Sequence, residues 1–115
     1  MPYLQLNTNL AVDADQSQRL LTEFSRLVAK ETGKPERYVM VEINTGKAML
    51  FGGGDQPLAY LECKSIGLSA SQARSLSASL TNLLTSHLTL SADRIYIEFS
   101  NCAPEFWGWN GSTFA

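Results

Sequence analysis

The sequence is poor in the residues that build most metal and nucleophilic sites. It has one histidine, His87, and two isolated cysteines, Cys63 and Cys102, which form no recognisable motif. So few ligands do not favour a zinc site, and nothing indicates a Ser-His-Asp triad. We therefore expect free thiols in a reducing compartment, no metal and no cofactor. His87 ends a helical pattern, so we expect it to be a surface or helix-terminal charge.

Long apolar runs and clusters of basic residues are also absent. A membrane-spanning helix needs about 18 or more consecutive apolar residues, and none occur, so we expect no membrane segment. The net charge is −2 and no basic run is present, which argues against a nucleic-acid partner. No signal-peptide pattern opens the chain, so we expect a cytoplasmic protein. The glycine run Phe51–Asp55 lacks the spacing and the lysine of a phosphate-binding loop, so we interpret it as a turn.

The remaining composition is that of a globular chain with one core. Hydrophobic residues make up 44% of the 115 positions and charged residues 17%, which distinguishes the chain from disordered proteins. A chain of this length fits one domain. We therefore assign residues 1–115 to a single domain.

A weak internal repeat divides this domain into two parts. The segment Tyr3–Leu6 resembles Tyr60–Cys63, 57 positions later. Arg37 and Arg94 are also 57 positions apart, and they precede the strand-like runs 38–43 and 95–99. A helical pattern lies between the early and the late strand of each part. We predict a duplicated strand–helix–strand unit whose halves cover about residues 1–57 and 58–115.

Helix signals are strong in both halves. An apolar stripe predicts a first helix over residues 15–32, capped by Asp13 or Asp15 and ended by Gly33, with a proline two positions later. The second helix is predicted to open at Ser69, because a glutamine three residues later completes a capping-box pattern.

The predicted strands have two unlike faces. One face is apolar and should be covered by the helices. The other mixes aromatic and charged residues, and a face of that kind usually meets another subunit or a wet channel. Its members are Tyr3, Gln5, Tyr38, Met40, Glu42, Tyr60, Glu62, Lys64, Tyr96 and Glu98. An Asn-Gly pair in the aromatic C-terminal segment predicts a small hairpin.

Several short motifs occur in a recognisable order. They are "MP" at 1–2, "NTN" at 7–9, "TGKP" at 32–35, "FGG" at 51–53, "SIG" at 65–67 and "GWNGSTFA" at 108–115. Over nearly the whole chain they resemble the macrophage migration inhibitory factor family of the tautomerase superfamily. The resemblance implies an α+β fold made of a duplicated β-α-β unit, with a four-stranded mixed sheet and two helices on one face. It also implies a homotrimer whose sheets surround a central channel.

The resemblance implies an isomerase that interconverts keto and enol forms of phenylpyruvate- or dopachrome-like carboxylated substrates. Pro2 would be the general base after removal of Met1, and Lys34 would hold the substrate carboxylate. The other residues assigned to substrate binding are Tyr38, Ser65, Ile66, Tyr96, Glu98, Trp109 and Phe114, with Tyr96 supplied by the neighbouring subunit. The alternative is a cytokine-like signalling or binding module that acts on a host receptor, with a vestigial pocket and secretion by a non-classical route.

Pro2 also has a purely structural interpretation. Proline lacks a backbone donor and is tolerated at the start of a strand. As an N-terminal residue, however, it would carry a secondary amine, and a hydrophobic pocket near Lys34 would lower the pKa of that amine towards neutrality. The match to the family motif favours the role as a base.

The sequence departs from the family pattern at several positions. Glu98 replaces an asparagine of the human-type family member, so we expect a carboxylate near the pocket mouth that repels anions. Trp107 replaces a small aliphatic residue and should narrow the pocket. The Cys-x-x-Cys motif linked to thiol oxidoreductase activity falls on "LAYL" at 58–61. Because both sulfurs are missing, we do not expect that activity.

Overall fold

Two strand–helix–strand units build the fold, and the computed structural model describes every residue from Met1 to Ala115. The first unit consists of β1 (Tyr3–Thr8), α1 (Ala14–Thr32) and β2 (Met40–Asn44). The second consists of β3 (Ala59–Ile66), α2 (Ala70–His87) and β4 (Ile95–Cys102). A short hairpin of β5 (Gly108–Trp109) and β6 (Ser112–Thr113) follows.

The four long strands form one mixed sheet in the order β2-β1-β3-β4. β1 runs parallel to β2, and β3 runs parallel to β4. The two units join through the antiparallel pair β1–β3, in which Leu4 lies opposite Cys63. Two helices and a four-stranded mixed sheet confirm the predicted fold class.

The helix ends follow the capping signals in the sequence. The Asp13 side chain accepts a hydrogen bond of 2.8 Å from the backbone N–H of Gln16 at the start of α1. Gly33 ends α1 in the left-handed conformation with φ of 71°, which costs glycine little. At α2 both hydrogen bonds of the capping box between Ser69 and Gln72 are present. Both predicted helix starts and the predicted end of α1 are therefore confirmed to within a residue.

The start of β2 differs from the sequence prediction. The alternating run suggested a strand from Tyr38, but residues Glu36–Tyr38 form a turn of 3-10 helix and the strand begins at Met40. Pro35 precedes the turn, and its carbonyl accepts a hydrogen bond of 3.0 Å from the N–H of Tyr38. This turn moves Tyr38 out of the sheet.

The apolar strand face and the helix stripes form the core, as predicted. Its fully buried members include Leu4, Leu6, Leu20, Phe24, Val28, Leu61, Cys63, Leu76, Leu80 and Leu84, each 0% exposed. Burial of one such side chain contributes about 1.5–3 kcal/mol. Because a slip of one residue would turn the apolar side chains outwards, this core fixes the strand register.

The opposite side of the sheet carries no helix, and we call it the open sheet face. Its residues are Tyr3, Gln5, Met40, Glu42, Tyr60, Glu62, Lys64, Tyr96 and Glu98. The C-terminal hairpin turns at Asn110 and Gly111, whose φ angles are 52° and 79°, as expected for the predicted Asn-Gly turn. Neither helix combines the length and the apolar composition needed to cross a bilayer.

Candidate active site

A cavity of about 940 Å³ lies at one end of the sheet, where strands begin or end. It is found where β1 and β2 begin and where β3 and β4 end, so all four strands contribute to it. The lining residues are 1–3, 37–40, 64, 100–102, 106–109 and 114. The volume is in the range of small-molecule sites.

Pro2 lies in the wall of this cavity at the start of β1. Its side chain is less than 2% exposed. Its carbonyl accepts a hydrogen bond of 3.0 Å from the N–H of Met40, which fixes Pro2 against β2. Burial, and secondarily the charge of Lys34, hold the pKa of the Met1 amino group below its ordinary value. The Met1 amine is therefore shifted towards its neutral form.

Three aromatic rings form a second wall. Trp109 and Phe114 are stacked with their ring centroids 5.7 Å apart. Tyr38 meets both edge-on, with centroid distances of 5.4 and 5.9 Å. Such edge-to-face pairs are favourable beyond the area they bury, so the C-terminal hairpin is fixed over the cavity.

The charged side chains of the lining are all cationic. Arg37 and Lys64 line the cavity, whereas no aspartate or glutamate does. The Arg37 guanidinium carbon lies 4.8 Å from the centroid of the Tyr38 ring. The Lys64 ammonium is 4.0 Å from a carboxylate oxygen of Glu62. The geometry and the charge suit an anionic ligand with an apolar body.

The sequence-predicted site residues divide into two groups. Pro2, Tyr38, Trp109 and Phe114 meet in the cavity. Lys34 is absent from the lining, although its charge affects the Met1 amine. The remaining four, which lie outside the lining, are Ser65, Ile66, Tyr96 and Glu98.

Those four residues lie on the last two strands of the sheet. Ser65 and Ile66 end β3 and are buried, and the Ser65 hydroxyl has no hydrogen-bond partner. Tyr96 and Glu98 belong to the open sheet face of β4. The Tyr96 ring packs against Phe51 in a tilted arrangement, with centroids 4.5 Å apart and an angle of 39° between the ring planes. Glu98 accepts a hydrogen bond of 2.8 Å from the Tyr60 hydroxyl.

Sequence reasoning did not assign Arg37, Lys64 or Cys102 to the site. A signal was available for Lys64, because strand alternation puts it on the same face as Tyr3, its partner in the β1–β3 register. Arg37 precedes an assigned tyrosine, but its direction depends on the 3-10 turn. No group of three or more potential metal ligands converges anywhere in the chain.

Comparison with known proteins agrees with this architecture. The profile of the macrophage migration inhibitory factor family matches residues 1–115. The chain is 38% identical to macrophage migration inhibitory factor of Xenopus tropicalis, over 100% of both chains. It is 39% identical to the homolog of Brugia malayi, over 99% of each. The crystal structure of the homologue from Prochlorococcus marinus superimposes with a TM-score of 0.92 at 38% identity, covering 98% of this chain and 99% of that one. By sequence and by fold, this chain belongs to the macrophage migration inhibitory factor family.

Proposed function

We propose that the protein is a keto–enol tautomerase that acts on phenylpyruvate- or dopachrome-like carboxylated substrates. The observation that carries this proposal is Pro2, which is less than 2% exposed and lines a cavity with aromatic walls and cationic side chains. Enolisation needs a base of near-neutral pKa, an anchor for the substrate and exclusion of water. Burial lowers the pKa of the Met1 amine at this end of β1, and we expect burial to act in the same direction on a Pro2 amine.

In this mechanism Met1 is removed and the Pro2 nitrogen becomes a secondary amine. Its neutral form accepts a proton from the carbon beside the substrate carbonyl, and the electrons of that C–H bond form the enolate. The protonated amine then returns a proton to the oxygen, so the reaction is an isomerisation without net uptake of protons. The pyrrolidine ring restricts rotation about the base and favours productive alignment.

Lys34 is proposed as the anchor of the substrate carboxylate. It follows the C-terminus of α1 and is near enough to the Met1 amine to lower its pKa. A charge-assisted hydrogen bond of this kind contributes about 1.5–3 kcal/mol. We further propose that the site is completed in a homotrimer, where Tyr96 of a neighbouring subunit would reach the substrate.

The test compares phenylpyruvate enolisation by Met1-free protein, identified by mass analysis, with that of a Met1-retaining form. Retention converts the Pro2 nitrogen into an amide, so we expect turnover to collapse even at saturating substrate. Pro2→Gly leaves a flexible primary amine and should retain a small residual activity. Equal turnover of the processed and Met1-retaining forms would show that Pro2 merely begins a strand.

Lys34→Ala should behave differently in the same assay. The contact exists both before and in the transition state, so its loss should mainly raise KM. We expect kcat/KM to fall roughly 10- to 150-fold, the equivalent of about 1.5–3 kcal/mol. A fall in kcat with unchanged KM would argue against the anchor role.

A second candidate function follows from the relatives' names, which describe factors that inhibit macrophage migration. In that case the chain would act as a signalling or binding module on a receptor. Absence of phenylpyruvate turnover by Met1-free protein, together with an effect on macrophage migration, would favour this alternative.

A further inference from the structure

Lys64 is a cationic residue of the cavity lining to which the proposed mechanism gives no role. It lies on the β3 side of Pro2. Lys64 lines the cavity with its side chain 48% exposed. The Lys64 ammonium nitrogen lies 4.0 Å from a carboxylate oxygen of Glu62, the outer limit of an ion pair. An exposed pair of this kind contributes little to stability. The Lys64 ammonium is therefore available to a ligand.

The sheet order places Lys64 and the proposed anchor on opposite sides of the base. Tyr3, the neighbour of Pro2 on β1, pairs with Met40 on β2 and with Lys64 on β3. Lys34 and Arg37 belong to the segment that leads into β2. Adjacent strands are about 4.8 Å apart, so the β2 and β3 sides of the cavity are separated by roughly 10 Å.

Most of the residues that line the cavity are hydrophobic, 10 of 16. Tyr38 and Trp109 form its aromatic wall, and no carboxylate of the chain lines the cavity. A substrate with one anionic group would bind the cations on the β2 side and leave Lys64 without a substrate contact. A rigid substrate with a carboxylate at each end and an aromatic body would satisfy both sides.

We propose that the preferred substrate class is a dianionic aromatic 2-oxo acid, with its second carboxylate bound by Lys64. This inference rests on the proposed tautomerase function and names the substrate class of the same site. Lys64 acts in it as a specificity-determining residue. The proton transfer at Pro2 is unchanged.

The experiment measures kcat/KM for 4-carboxyphenylpyruvate and phenylpyruvate, which differ by one carboxylate. We expect the wild-type protein to prefer the dianion about tenfold or more. Lys64→Met should lower the ratio of the two kcat/KM values about tenfold, and Lys64→Arg should restore most of it. Lys30→Met, at an exposed lysine of α1 outside the cavity, should leave the ratio unchanged.

Calorimetric binding of 4-carboxycinnamate and cinnamate, which cannot enolise, provides a readout without turnover. We expect Lys64→Met to weaken 4-carboxycinnamate binding about tenfold more than cinnamate binding. If wild type and Lys64→Met both turn over substrate with the same ratio of the two kcat/KM values, this inference is overturned and the tautomerase proposal is left intact. Absence of turnover would overturn the tautomerase proposal, and the binding ratio would then decide the role of Lys64.

Discussion

Two tyrosine–glutamate pairs on the open sheet face give individual residues unusual titration behaviour. The Tyr3 hydroxyl donates to Glu42 at 2.7 Å, and the Tyr60 hydroxyl donates to Glu98 at 2.8 Å. These hydrogen bonds to carboxylates are the main reason why the pKa of each tyrosine is raised to about 12. The same bond from Tyr3, assisted by Gln5, lowers the pKa of Glu42.

The pH dependence of stability follows from the directions of these shifts. A tyrosine pKa raised from 10 to about 12 stabilises the fold below pH 10, and this contribution is lost as the pH rises through 12. Because the pKa of Glu42 is lowered from its ordinary value of 4.5, the Glu42 carboxylate stabilises the fold above pH 4.5, and this contribution is lost as the pH falls further. The Tyr3–Glu42 pair is therefore weakened at both extremes of pH.

We predict that Tyr3→Phe and Tyr60→Phe each remove one step near pH 12 from the alkaline absorbance titration of tyrosinate. Each should also reduce the loss of unfolding free energy between about pH 10 and 12. Tyr96→Phe is the control: the Tyr96 ring packs against Phe51, so this variant should leave both steps in place. A wild-type titration complete by pH 11 would contradict the assignment.

The cysteines and the histidine illustrate what single residues reveal in a sequence. Both thiols are free, as predicted, and burial raises the pKa of Cys63 to about 11, which makes it a poor nucleophile. His87 is the last residue of α2, at the helix terminus as predicted. Its Nε2 atom lies 2.6 Å from a carboxylate oxygen of Glu23 on α1. That partner was not predictable, because it depends on how the helices pack.

Among the secondary-structure elements, the loop between β2 and β3 depends on one side chain of the second unit. The Arg94 guanidinium donates to the carbonyls of Phe51, Gly54 and Gln56 at 2.8, 3.2 and 3.0 Å. It also lies over the Phe51 ring, 4.9 Å from the centroid. Arg94 thus connects β4 to the loop that supports the Tyr96 ring.

We predict that Arg94→Lys lowers the free energy of unfolding by about 1.5–3 kcal/mol, because an ammonium cannot reach several carbonyls as a planar guanidinium does. Amide hydrogen exchange should rise within residues 51–57 and remain unchanged in the helices. Arg74→Lys, at an exposed position of α2, is the matched control. Equal exchange in residues 51–57 of the two variants would show that Arg94 does not order the loop.

The helices were more predictable than the ends of the strands. Caps at Asp13, Gly33 and Ser69 are local signals, and each is used as the sequence indicates. β3 and β4 extend beyond the predicted runs to Ile66 and Cys102, where the apolar alternation fades. Their pairing across the whole length is a tertiary property, and the same extension carries residues 100–102 into the cavity wall.

For the molecule as a whole, the cavity of one chain brings together only some of the residues predicted for the site. Pro2 and the aromatic wall lie in the cavity, whereas Tyr96 and Glu98 are on the far strand of the open sheet face. The family resemblance assigned Tyr96 to a neighbouring subunit, and its separation from the cavity within one chain fits that assignment. Residue patterns alone indicated an interface or a channel but not its geometry.

Several large apolar side chains are exposed in the single chain. Met40, Leu50 and Tyr96 are 66%, 70% and 64% exposed, and exposed apolar surface of this kind often marks an interface. We predict that sedimentation at micromolar concentration gives a homotrimer, three times the 12.6 kDa chain mass. Leu50→Asp should shift the protein towards monomer, because assembly would have to bury an unpaired carboxylate.

The same variant tests whether assembly completes the site. Leu50 lies in an exposed loop outside the Pro2 cavity, so Leu50→Asp should retain the fold by circular dichroism. Its phenylpyruvate turnover should fall in proportion to the trimer that is lost and recover at high protein concentration by mass action. Ala78→Asp, on the exposed side of α2, should remain trimeric and active. A wild-type protein that is a stable monomer with full turnover would contradict both the trimer and the role of Tyr96 from a neighbouring subunit, because one chain would then hold everything the reaction requires.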